Sequence, residues 1–125
     1  MRLNHLDLHV SDVAETRNFF VTHFGFRHLA TKGDDGLAIL QDDAGLELVI
    51  SRPIAKLGGA DQAALGVVTY HIGFLLPSCD DVDGLYAQLV AANVELPSAP
   101  RAMRGGWAFY VTAPGKVLVE VSSRT

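Results

Sequence analysis

Twice along this chain of 125 residues the same order of elements is written: a one-faced strand, a capped helix, then a set of short strands. That repetition is what most restricts the fold. In LNHLDLHV, residues 3–10, Leu6, Leu8 and Val10 share one phase of a two-residue period, and Leu3, His5, Asp7 and His9 share the other. This is the pattern of a strand buried on one face. Asp12 with Glu15 three residues later forms a helix-capping pair, Val13, Phe20 and Phe24 follow at helical spacing, and Gly25 is placed to end the helix. Residues 26–32, 36–41 and 45–51 read as three short strands divided by Gly33-Asp34-Asp35-Gly36 and Asp42-Asp43-Ala44-Gly45. Residues 52–66, with Pro53, Gly58, Gly59 and Gly66, break both periodicities, as a linker or a cover over a site does. The order then restarts. A strand over 68–76 leads to Ser78 and Asp81 as a cap, and Val82, Leu85 and Leu89 line one face of a helix ending near Asn93. Strands follow over 107–112 and 116–123, with a weaker one near either 94–96 or 100–103.

The reading is therefore one α+β domain over 1–125, made of two βαβββ modules (about 1–52 and 67–125) joined by a linker of about 53–66. With 49% apolar residues it has material for a proper core. Ten Lys+Arg against 14 Asp+Glu give a net charge of -4, which argues against nucleic acid or an anionic membrane as partner. No apolar run approaches the roughly 18 residues of a membrane helix, and no signal-like apolar segment follows Met1, so a soluble, cytoplasmic protein is expected. Cys79 is the only cysteine, so any metal must be held by His and carboxylates.

Aligning the first strand of each half sets His5 opposite His71, and aligning the last strands by pattern sets Glu47 opposite Glu120. All four lie off the phase that carries the core residues Leu8, Leu48, Phe74 and Val119. Two imidazoles and two carboxylates suit a divalent cation of intermediate hardness. A lone strand His or Glu is usually a surface residue, and recurrence in both halves is what points to ligands.

The opening LNHLDLHVSD, then NFFVTHFGF, YHIGF, RGGWAFYV and APGKVLVEV, resemble in this order the vicinal oxygen chelate superfamily of glyoxalases, bleomycin-resistance proteins and dioxygenases. The resemblance covers essentially the whole chain. It implies a U-shaped, partly closed mixed sheet around a metal cleft, and often a homodimer. It implies that His5, Glu47, His71 and Glu120 hold one divalent metal (Ni, Co, Zn, Mn or Fe), with Glu120 doubling as catalytic base, as in the glyoxalase I branch. The activity expected is that of a metal-dependent lyase or isomerase acting on a small-molecule substrate with vicinal oxygens through an enediolate. The alternatives are a non-catalytic small-molecule or antibiotic-binding protein, and a thiol transferase or dioxygenase of the same family. Two departures stand out. Ala113-Pro114-Gly115-Lys116 replaces the usual Asp-Pro-Asp-Gly turn, and His9 and Ser51 stand where glutathione-dependent members tend to have Arg and Asn.

His9 shares a phase with His5 and is a candidate substrate contact or a solvent-facing residue, while Asp7 is placed to orient either imidazole. Trp107, Phe109 and Tyr110 after Arg104-Gly105-Gly106 either cover an apolar part of a ligand or pack in the core. Arg52, Lys56, Arg101 and Arg104 lie on expected loops, where a cation binds a substrate carboxylate or phosphate or is simply solvated. Cys79, at the start of the second helix, is either a thiol made more acidic by the helix N-terminus or a buried, inert one, with the inert reading favoured, and His23 and His28 read as surface residues. There is no phosphate-binding glycine loop, nucleophile elbow or dinucleotide fingerprint.

Overall fold

A computed structural model describes residues 1–53 and 70–124 of the chain. Two compact units are present, Met1–Val67 and Val68–Thr125. In the first, β1 (His5–His9) is followed by α1 (Val13–Phe24), β2 (Arg27–Lys32), β3 (Leu37–Gln41) and β4 (Glu47–Ser51). The sheet order is β1-β4-β3-β2, with β1 parallel to β4 and the other pairs antiparallel. In the second, β5 (His71–Leu75) leads to α2 (Cys79–Ala91), β6 (Arg101–Met103), β7 (Gly106–Ala113) and β8 (Val117–Ser123), in the order β5-β8-β7-β6. β5 and β8 are again parallel and the other pairs antiparallel. The α+β class and the βαβββ order are thus as expected. Most of the linker, Lys56 included, and the start of the expected 68–76 strand lie outside the described residues.

Each helix forms where its signals stand. The Asp12 side chain accepts from the Glu15 N–H at 2.9 Å, and Gly25 closes α1 at φ 69°. Ser78 accepts from the Asp81 N–H at 3.1 Å, and Asn93 takes the left-handed conformation (φ 57°) just past α2. On α1 the buried residues are Val13, Thr16, Phe19 and Phe20, so the face is rotated from the expected Val13, Phe20 and Phe24. Thr16 is buried because its hydroxyl donates to Asp12 O at 2.8 Å.

Each core lies between a helix and one sheet face. Leu8, Val10, Ala38, Leu40, Leu48 and Ile50 are buried in the first unit, and Phe109, Val111, Val119 and Val121 with Val82 and Leu89 of α2 in the second. Leu6, in the core phase of β1, is 36% exposed, because β1 borders its sheet and α1 rests on β2, β3 and β4. Ile72 and Phe74 of β5 are likewise only half-buried. The weak strand is 101–103 rather than 94–96; Val94 N–H instead bonds Leu89 O at the end of α2. No helix among the described residues is long and apolar enough to cross a membrane.

Candidate functional site

In the second unit α2 packs against β7 and β8 on the Phe109 and Val119 side. Alternation then puts Tyr110 and Glu120 on the opposite face, and register sets Gly73, Glu120 and Tyr110 in a row across β5, β8 and β7. Glu120, with its side chain 14% exposed, is the centre of a small cluster. The Tyr110 hydroxyl donates to Glu120 Oε2 at 3.0 Å, His71 Nε2 is 3.5 Å from the same oxygen, and Arg104 Nη1 is 3.5 Å from it. The His71 ring meets the Tyr110 ring edge-on at 5.7 Å. Burial, and then the hydrogen bond and charge of Glu120, push the Tyr110 phenol above its ordinary pKa, so it keeps its proton and remains a donor.

The β6–β7 turn places Arg104. Arg104 (φ 52°) and Gly105 (φ 75°) are both left-handed, as a tight hairpin turn requires. At Gly106 an added Cβ would run into Ser123 O, so only glycine lets β7 start against the end of β8.

In the first unit β1 and β4 set His5 beside Glu47, Asp7 beside Val49 and His9 beside Ser51. His5 Nδ1 is hydrogen-bonded to Asn4 Oδ1 at 3.0 Å. Asp7 accepts from the buried Ser51 hydroxyl at 2.7 Å and lies 4.0 Å from His9 Nε2. Asp7 is therefore a partner of Ser51 and a neighbour of His9, while His5 is oriented by Asn4. Among the described residues of either unit, no three His, Cys, Asp or Glu side chains converge on one metal position.

The two units repeat each other with one offset. Their caps, Asp12 and Ser78, correspond, and Val10 N–H bonds Ser51 O as Leu76 N–H bonds Ser122 O. His5 therefore matches His71, as expected. Ser51, however, matches Ser122, which puts Glu47 level with Leu118 and Val49 level with Glu120. The pattern alignment of Glu47 with Glu120 is corrected by two residues. A slip of two leaves every side chain on the same face, so alternation alone is blind to it.

The structure thus joins His71 to Glu120 and sets His5 beside Glu47, one pair in each unit. Arg104 reaches Glu120 as a loop cation. Trp107 pairs with Ser123 on the helix-covered side and donates from Nε1 to Asp83 Oδ1 of α2 at 2.7 Å, a packing position away from Glu120. His9 stands with Asp7, and Cys79 is the half-buried first residue of α2. The partnership of Tyr110 with Glu120 escaped the sequence reading. Its signal was the phase of Tyr110, opposite to that of Phe109 and Val111.

Residues 2–121 match the Glyoxalase/Bleomycin resistance protein/Dioxygenase superfamily. The chain belongs to this family. A possible glyoxalase from Bacillus cereus is 28% identical, covering 97% of each chain, with a TM-score of 0.80. The fosfomycin resistance protein FosX from Listeria monocytogenes is 23% identical, covering 100% of this chain and 94% of that one, with a TM-score of 0.77. A lactoylglutathione lyase from Agrobacterium tumefaciens is 17% identical, covering 98% and 92%, with a TM-score of 0.75. No curated protein matches. Members of the superfamily typically use a divalent metal, act on small molecules and are often oligomeric. The donors here fit such a group. Two ligand atoms about 2.1 Å from one tetrahedral ion stand about 3.4 Å apart, close to the 3.5 Å between His71 Nε2 and Glu120 Oε2.

Proposed function

We propose that the protein is a metal-dependent enzyme of glyoxalase type, a lyase or isomerase acting on a small substrate with vicinal oxygens. His71 and Glu120, with His5 as the donor from the first unit, hold one divalent cation of the nickel, cobalt, zinc, manganese or iron group. The observation that carries this reading is the 3.5 Å separation of His71 Nε2 and Glu120 Oε2 on the sheet face opposite the one that α2 covers. When bound, the cation supplies Lewis acidity toward neighbouring substrate oxygens. Glu120 is the group that takes the substrate proton, and Tyr110, which keeps its own, holds Oε2 in position. Asn4 holds Nδ1 of His5 and so leaves Nε2 for the cation.

Glu47 was expected as a fourth ligand. Its register, level with Leu118, supports a flanking carboxylate beside His5 instead. The same observation favours a second reading, thiol transfer or dioxygenation, in which two histidines and one carboxylate suffice. Calorimetric titration with nickel, cobalt and zinc tests the assignment. His71→Ala, folded by circular dichroism, is expected to lose at least about 100-fold in affinity, beyond what loss of an outer partner costs. Glu47→Gln is expected to lose far less, and Glu120→Gln to lose more in turnover than in affinity. Unchanged affinity in His71→Ala overturns the ligand assignment, and no uptake of any of these metals by the unmodified chain overturns the metal reading in favour of a non-catalytic binding protein.

A further inference from the structure

The β6–β7 hairpin carries two guanidinium groups that the metal reading does not use. Arg104 is 66% exposed in its side chain, and one edge of it, Nη1, touches Glu120 Oε2 at 3.5 Å. Arg101, opposite Ala108 in the ladder, lies on the same sheet face as Tyr110. On the other side of Glu120 stands Gly73, where a side chain would have begun 3.9 Å from Glu120 Cβ; its absence leaves room beside the carboxylate. In a chain of net charge -4, the β6–β7 hairpin thus brings Arg104 and Arg101 to the face that carries the Glu120 carboxylate. A guanidinium fork matches the paired oxygens of a carboxylate or phosphate-type group, and Tyr110 adds a neutral donor.

We propose that Arg104, assisted by Arg101, holds an anionic oxygen group of the substrate beside Glu120, so that the substrates are small organic acids, phosphonates or phosphates rather than neutral molecules. The proposal rests on reading the Glu120 face as the substrate site. It does not depend on a metal being bound there. In the free protein Glu120 itself occupies one edge of Arg104, and neutralising Glu120 releases that edge to the ligand.

The test uses the full chain with chelator present and follows amide NMR shifts during separate titrations with inorganic phosphate and with propionate. Glu120→Gln is expected to bind at least one of these anions about fivefold or more tighter than the unmodified chain, the scale of one relieved charge contact. Adding Arg104→Asn, a neutral residue that tolerates the left-handed turn, is expected to abolish that gain. Arg104→Lys, which retains charge without the fork, is expected to recover only part of it. Phosphate binding alone identifies a phosphate or phosphonate substrate, propionate alone an organic acid, and both the shared oxyanion chemistry. Equal affinities with and without Arg104 overturn the proposal, as does the absence of binding by either anion up to about 100 mM, beyond any useful affinity. Arg104-dependent phosphate binding in a chain that takes up no metal would keep this proposal and remove the previous one, so the two fail separately.

Discussion

Tyr110 on β7 and Arg104 on the hairpin turn donate to Glu120, and His71 on β5 stands 3.5 Å from the same carboxylate oxygen. A mostly buried carboxylate needs such partners, because its water has been taken away. Tyr110→Phe removes one donor without changing volume much. It is expected to cost about 1.5–3 kcal/mol, the range for a hydrogen bond to a charged group, read as a lower urea midpoint at unchanged slope. An unchanged midpoint would mean that the phenol does not support Glu120. Sequence reading singled out His71, Glu120 and Arg104 from residue type and pattern. It could not find the Tyr110 contact, since a ten-residue separation becomes adjacency only through the β7–β8 register.

Among the elements, local chemistry is the part most directly written in the chain. Asp12, Gly25 and Ser78 act where the capping patterns put them. Asp12→Ala is expected to cost about 1 kcal/mol through the lost bond to Glu15 N–H, measured by thermal or urea unfolding. The turn Arg104-Gly105-Gly106 makes a sharper test, because its two glycines matter for different reasons. Gly105→Ala meets no atom within 4 Å and costs only the left-handed conformation, about 1 kcal/mol. Gly106→Ala collides with Ser123 O and must open the β7–β8 ladder; a loss of more than about 2 kcal/mol is expected, in the range of overpacking. Equal costs for the two would contradict the close approach. The register of β4 against β1 was not legible, because a slip of two residues preserves both faces and no turn between the strands fixes it by sequence alone.

At the scale of the whole molecule, the proposed cation draws donors from both units, supplied by one chain or by two copies. We propose the second, a homodimer with two equivalent sites. Mixing His5→Ala chains with Glu120→Ala chains is expected to restore one intact site per heterodimer, about half the sites of the unmodified dimer by calorimetry. No recovery despite verified subunit exchange would assign each site to a single chain. The doubled βαβββ order, the caps and the alternation of the inner strands were determined by sequence, and His5, Glu47, His71 and Glu120 were singled out there as candidate donors, because these follow from residue type, period and short-range hydrogen bonding. Tertiary structure alone decided that Val49 rather than Glu47 corresponds to Glu120, that Trp107 belongs to the α2 side, and that Tyr110 and Arg104 converge on one carboxylate oxygen. Each of these depends on which residues of distant strands lie side by side, and a two-residue period leaves that register open.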